Sequence, residues 1–456
     1  MTTTATILET QRARSDDTSI ALESIGDSSS RHSNNDTTSV LALDDTAPEN
    51  ATTVIPDGGY GWIVVASSSV ITFWFSGMTG AWGIIQAALL SSSLKDTPPS
   101  TTAFIGSLGI TICVAFGLVG VHVMRLISAR YTAVLGIALL GLGALLSGFT
   151  TSNVAGLFQT FGVILGVGDC LCFTVANVMP AQYFSRRLGL ANGLVKASGG
   201  IGATLLSIAL NSLIEKVGIE WTFRILGAGV LCTGIPAALA IKERTSLPNV
   251  PIFDFSLLKD IPFAAIFLAG ATVTFTLFVP PFFLPLFAKS IGLNSGTGAA
   301  LVASFNACTA IGRFIAGPAC DKFGPLNTFV VAVALNAITT LAIWPVSSAL
   351  PSLVVFAILN GISNGAFFTT LPTVVVSMVD PSRHAMGMSL SITGWTGGYL
   401  MGTPIAGYLL EAAGGEDGGV EAYRPAIFYA GGIATLSSVF VLVARMGREI
   451  KVFKRV

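Results

Sequence analysis

Residues 131–150 read YTAVLGIALLGLGALLSGFT, a run without a single charged side chain. A helix rises about 1.5 Å per residue, so about 20 such residues match the hydrocarbon core of a bilayer. Outward from this run the pattern recurs: spans are expected at 62–90, 101–124, 131–150, 154–179, 188–212 and 222–241. A second set follows at 261–287, 298–318, 326–346, 351–378, 386–410 and 425–445. The longest polar interval between the two sets, 242–260, carries Lys242, Glu243, Arg244, Pro248, Pro251 and Lys259 and reads as a linker. The expected fold is an all-α polytopic membrane protein of twelve transmembrane helices in two six-helix bundles, 57–241 and 261–445.

Composition agrees. The chain has 456 residues, 52% hydrophobic and 11% charged, with a mean hydropathy of +0.75, against about 25% charged for an ordinary soluble domain. Its zero net charge hides an asymmetry. Residues 1–56 hold 3 of the 24 Lys+Arg and 9 of the 24 Asp+Glu, leaving 21 against 15 for the rest. That Ser/Thr-rich acidic segment has too little apolar surface to offset its ordering entropy and is expected to be a disordered cytosolic tail. Residues 446–456 form a basic tail. Nothing in the pattern suits nucleic acid.

Loops on one side of the expected spans, with the C-terminal tail, hold fourteen Lys+Arg, among them Arg125, Arg130, Arg186, Arg187, Lys242 and Arg244. The other side holds Lys95, Lys216, Lys289 and Arg424. Positive loops stay in the cytosol, so both termini are expected there, with the plasma membrane as the default location. The glycosylation-like triplets at Asn35 and Asn50 would then be idle.

Enzyme chemistry finds no foothold. There is no Ser-His-Asp order, no HExxH and no phosphate loop, and Gly166-Val167-Gly168 lies inside an apolar span with no strand before it. The six cysteines fall in or beside apolar runs. Cys170 and Cys172 point to different helix faces with no histidine near, so neither metal nor other cofactor is expected. The fifty glycines suit helix packing in lipid. Gly162 and Gly166, Gly361 and Gly365, and Gly398 and Gly402 are four apart, and Gly77, Gly80 and Gly83 form a stripe.

Charges inside spans are costly, and three stand out: Asp169 in the fourth, Lys196 in the fifth and Arg313 in the eighth. Counting from the shared end of the fourth and fifth spans puts Asp169 and Lys196 at similar depth, where an ion pair would couple transport to protons. Polar residues Gln86, Asn177, Asn306, Asn360, Asn364, Trp395 and Tyr399 also lie within spans. Each suits either interhelical hydrogen bonding or a cavity wall, and Asn364 is taken as a substrate-binding candidate.

Two motifs carry a family resemblance. Asp57-Gly58-Gly59-Tyr60-Gly61-Trp62 precedes the first span. Tyr183-Phe184-Ser185-Arg186-Arg187-Leu188 precedes the fifth and leads into Ala191-Asn192-Gly193 and Ala197-Ser198-Gly199-Gly200-Ile201-Gly202. Together they resemble the signatures of the monocarboxylate transporter family, its fungal members above all, within the major facilitator superfamily. The resemblance covers 57–445. Independently of the family, Asp57 is placed to cap the first helix, Trp62 suits the interface, and Arg186 and Arg187 anchor the start of the fifth span, which makes these four gating candidates.

Gly312-Arg313, Gly317 and Asp321-Lys322-Phe323-Gly324 resemble the superfamily's cytosolic loop motif, whose acid, here Asp321, holds an inner gate shut. In the earlier copy Gly117 and Arg130 fit, while Arg125 and Ser128 stand where the acid and the glycine are expected. The resemblance implies that Arg313 binds a substrate carboxylate. The family's acidic neighbour is Thr309 here, and its first-helix lysine falls at Gly80. The resemblance thus implies a secondary transporter working by alternating access on a small organic solute, an anion above all, with protons as coupling ion. Arg313, Lys196 and Asn364 are the expected substrate ligands, and Asp169 with Lys196 the coupling groups. A larger or neutral metabolite, or a sensor without flux, is the alternative. No accessory protein is legible.

Overall fold

The computed structural model describes residues 57–184, 187–244, 255–380 and 383–448. The acidic tail, Arg186 and the basic tail from 449 onward lie outside the described residues. Among the described residues nine helices are long and apolar enough to cross a membrane. One of these stretches, 190–239, crosses twice by turning at Gly218, and with the shorter helices over 99–127 and 384–412 the described chain makes twelve crossings.

In chain order these are α1 (Gly61–Gly80 and Trp82–Ser91), α2 (Pro99–Ala115, continuing over 117–127), α3 (129–147), α4 (Val154–Gln182), α5 (188–217) and α6 (219–239). The second half has α7 (Ile261–Leu277 and Val279–Ser290), α8 (Ser295–Phe323), α9 (Pro325–Val346), α10 (Leu350–Met378), α11 (His384–Gly394 and Thr396–Ala412) and α12 (Gly419–Arg448). They form two six-helix bundles. Both α1 and α12 have their outer termini at one end, called the terminal end here; the opposite end is distal.

Three boundaries differ from the sequence reading. The expected loop between 212 and 222 is helix except at Gly218, whose φ of +78° makes the whole turn. Hydropathy detected the polar residues Glu215, Lys216 and Glu220, but these are good helix formers and extend both helices beyond the apolar core. At the terminal end α8 turns into α9 at Gly324 (φ +94°), and α2 turns into α3 at Ser128 (φ +73°). The serine occupies a left-handed conformation in which a side chain costs about 1–3 kcal/mol.

The distal ends of the halves are pressed together. Gly83 on α1 leaves room for the α7 backbone, because a Cβ there would run into the carbonyl oxygen of Pro281 and crowd Phe282. Gly407 on α11 meets Ser100 at the start of α2 in the same manner. The Ser295 hydroxyl at the start of α8 donates to Glu215 Oε1 at the end of α5, 2.8 Å away. Within the second half, Gly361 and Gly365 receive the α8 backbone, and Gly398 and Gly402 the α7 backbone. Without Cβ atoms the helix axes draw close and dispersion contacts accumulate.

Candidate functional site

Between the halves, below the closed distal end, lies a small, partly open cavity of about 60 Å³. Its first-half wall is made of small residues: Ser76, Thr79 and Gly80 from α1, and Gly199, Gly200 and Ala203 from α5. Its second-half wall is bulky, with Leu277, Phe278 and Pro281 from α7, Phe305, Asn306, Thr309 and Arg313 from α8, and Asn364 and Phe368 from α10.

The cavity sits where two helices are broken. In an α-helix each N–H bonds the carbonyl four residues back. Pro281 has no N–H, so the carbonyl of Leu277 is left without its helical donor and α7 breaks at Phe278. Asn364 Nδ2 supplies the missing donor at 2.8 Å. In α1 the break falls at Ala81, where the N–H of Ile84 turns to Ala81 O, and Asn306 Nδ2 donates to Gly80 O at 3.0 Å. Both asparagines are buried, and each satisfies a carbonyl that would otherwise face apolar surroundings. The Pro280-Pro281 pair was the sequence signal for this, since a proline inside a span announces an orphan carbonyl four residues earlier.

Arg313 reaches the cavity from α8. Its Nη1 donates to the backbone carbonyl of Lys196 across the two halves (3.3 Å), its guanidinium lies 5.0 Å from the centre of the Phe368 ring, and its buried Nε has no hydrogen-bond partner. Among the described residues no carboxylate lies within ion-pair distance of it. A guanidinium so placed keeps part of its donor fork for an incoming oxyanion.

Lys196 does not pair with Asp169. Its ammonium donates to Asn177 Oδ1 and lies 5.3 Å from the Phe173 ring centre, while Asp169, 2% exposed, has an Oδ1 with no partner. Depth counting missed the direction of the side chains. Cβ bonds lean toward a helix's own N-terminus, so on antiparallel neighbours the Lys196 chain leans to the terminal end and Asp169 leans away from it. Asn177, two turns beyond Asp169, meets the lysine instead. Thus Arg313 and Asn364 line one cavity, the Lys196 carbonyl accepts a hydrogen bond from Arg313 without lining it, and Asp169 stands apart.

The gating candidates at the terminal end meet in a single structure. Asp57 does not cap α1, whose first turn has no side-chain cap; its Oδ1 accepts the N–H of Arg187 at the start of α5 (3.3 Å), and its own N–H donates to Tyr183 O (3.1 Å). Positive φ at Asp57 (+50°) turns the chain toward that partner. Trp62 packs edge-on against Phe184 at 4.8 Å, and Gly61 lets Tyr183 and Phe184 approach the α1 backbone. The hydroxyls of Tyr60 and Tyr183 donate to Ala240 O (2.9 Å) and Lys242 O (2.8 Å). The two signature motifs therefore bind each other and tie α1, α4, α5 and α6 into a collar. Asp321 is exposed at the end of α8 and forms no ion pair among the described residues. Among the described residues no cluster of side chains is fit to hold a metal.

Comparison with known proteins places this architecture. The model of the Major Facilitator Superfamily matches residues 62–300 and 266–455. The aspyridones efflux protein apdF of Emericella nidulans is 26% identical over 415 residues, spanning 89% of this chain and 83% of its own length. Monocarboxylate transporter 12 of Mus musculus is 26% identical, with 87% of each chain covered. A bacterial homolog of the human lysosomal transporter Spinster, solved inward-facing and unoccupied, shares the fold at a TM-score of 0.66 with 17% identity, covering 86% of this chain and 99% of its own.

Proposed function

We propose that this chain, which belongs to the major facilitator superfamily and is a multi-pass membrane transporter rather than an enzyme, carries an organic anion by alternating access. The observation that carries this reading is Arg313: a cation inside the membrane, without a carboxylate partner among the described residues, with a free Nε on a cavity between the two halves. An uncompensated charge at such a site costs several kcal/mol, and a substrate carboxylate supplies the compensation. The halves rock about the cavity so that it opens first to one side and then to the other. Lys196 steadies Arg313 through its carbonyl, and Asn364 keeps the α7 break in register.

Proton coupling falls to Asp169, a carboxyl buried in α4 with an unpartnered oxygen. The collar of Asp57, Trp62 and Arg187 is the hinge of the terminal gate, with Asp321 as its second-half counterpart. The excess of Lys+Arg at the terminal end supports a cytosolic position for both termini and, by default, the plasma membrane. The Emericella nidulans relative, named an aspyridones efflux protein, supports the alternative of an exporter of a substrate larger than lactate.

The test is uptake of radiolabelled pyruvate, lactate and larger carboxylates into proteoliposomes, with and without an inward proton gradient. Wild type shows saturable, gradient-driven uptake, and Arg313→Ala loses at least about tenfold, the worth of one charge-assisted hydrogen bond. Equal uptake by the folded variant removes Arg313 from the site. Asp169→Asn keeps exchange and loses the response to the gradient; an undiminished response takes Asp169 out of the coupling mechanism.

A further inference from the structure

The α2–α3 and α8–α9 turns hold matching places in the two halves, and each reverses the chain on a residue of positive φ, Ser128 (+73°) and Gly324 (+94°). Three residues before the reversal the second half carries Asp321, whereas the first carries Arg125. Beside Arg125 lies an open groove with room of about 510 Å³, against about 60 Å³ between the halves. Arg125, Leu126 and Tyr131 line it from the turn and the start of α3, and Glu243 and Arg244 line it from the segment after α6.

Hydrogen bonds fix its walls. Glu243 Oε2 accepts the N–H of Ala129 at 3.0 Å and Arg130 Nε donates to Ile241 O at 3.0 Å, which ties the end of α6 to the α2–α3 turn. Arg244 donates its own N–H to Gln182 Oε1 at 2.9 Å, with Nη1 3.5 Å from Gln182 O. Among the described lining residues two guanidinium groups face one carboxylate, so the groove is positive, and each guanidinium has five donors to share between protein and ligand. Next to it the surface is apolar. Residues 131–150 carry no charge; Tyr131 (64% exposed), Leu135 and Leu142 lie along one face of α3, while Ala133, Ile137 and Leu140 on the opposite face are buried. A cationic groove thus opens onto a stripe that faces lipid.

We propose that this groove binds the headgroup of an anionic phospholipid, its phosphate between Arg125 and Arg244 and an acyl chain along Tyr131, Leu135 and Leu142. The guanidinium fork suits phosphate oxygens, and the apolar stripe is what a soluble phosphate would leave unused. A proposed cytosolic position of the terminal end sets the groove against the leaflet that carries anionic lipid. The matching turn of the second half, with Asp321 in place of Arg125, offers no such site.

The test places Tyr131→Trp in the full chain, reconstituted with phospholipids brominated on their acyl chains, which quench an indole they touch. Quenching of the six native tryptophans, measured in the parent chain, is subtracted. Brominated phosphatidylserine reaches the added indole with about fivefold higher relative affinity than brominated phosphatidylcholine. Arg125→Gln with Arg244→Gln brings the ratio to about one; Arg125→Gln alone brings it to about twofold and serves if the double variant does not fold. Lys322→Gln, at the matching turn of the second half, leaves the ratio unchanged. A ratio of about one with both arginines present, a ratio that survives their loss, or an equal loss in Lys322→Gln overturns the proposal. Soluble glycerol phosphate that abolishes the ratio assigns the groove to a free phosphate and overturns the lipid as its occupant.

Discussion

α1 breaks after Gly80 and α7 after Leu277, at matching places in the two halves, yet the chain reaches the two breaks by different routes. In α7 the break is enforced by Pro281, which removes the donor to Leu277 O, and Asn364 replaces that donor. In α1 no proline is present; Ile84 changes its bond to Ala81 O, and Asn306 takes up Gly80 O. The second half is therefore permanently broken, while the first half can straighten by restoring one hydrogen bond. The same contrast runs through the cavity, where the first half supplies small residues and the second supplies Arg313 and the aromatic rings. A second half with a proline-enforced break and bearing Arg313, facing a first half with a proline-free break, is the asymmetry on which the proposed transport cycle draws.

The largest expected effect lies where the two breaks touch. Gly83→Val drives a side chain into Pro281 O and the Phe282 backbone, an overpacking cost of about 1–3 kcal/mol borne only by the distal-closed state. Spin labels at Ser92→Cys and Lys289→Cys should separate in that variant, and an unchanged distance distribution in folded protein would refute the assignment of Gly83 to closure.

The asparagines sharpen the comparison directly. Asn364→Ala leaves Leu277 O with no donor and should cost about 1–3 kcal/mol in detergent stability, whereas Asn306→Ala should cost less because Gly80 O can recover Ile84. Pro281→Ala, which returns a backbone N–H, should recover part of the Asn364→Ala loss and none of the Asn306→Ala loss. The reverse ranking would break the contrast between the halves. Smallest is the pair of terminal turns. Ser128→Gly should stabilise by about 1 kcal/mol and Gly324→Ser should destabilise by a similar amount, both read as shifts in thermal midpoint.

The fold was legible because a bilayer imposes one requirement everywhere. Each crossing must be apolar and long enough, so 131–150 could be matched to its neighbours by length alone. The loop motifs pointed to the family for a related reason, since Gly312-Arg313 and Asp321 to Gly324 keep a fixed spacing along one helix. What the sequence left hidden depends on rotation about helix axes rather than depth along them. Asp169 and Lys196 were placed at one level but lean in opposite directions, and the partner of Lys196 is Asn177. Asp57 sits beside α1 in sequence but caps the start of α5. Asn306 was legible only as a polar residue within a span, because the carbonyl it satisfies lies 226 positions away along the chain.

The most direct test of the central claim, that Arg313 is the anion ligand of a site between the halves, is ligand-induced thermal stabilisation of the purified chain. A ligand that binds the native state at about 100 times its Kd stabilises by about 2.7 kcal/mol. The carboxylate taken up best among pyruvate, lactate and larger acids should raise the midpoint of wild type, leave Arg313→Gln where it was, and have no counterpart in its amide. An equal rise in wild type and Arg313→Gln, both folded, would contradict the account.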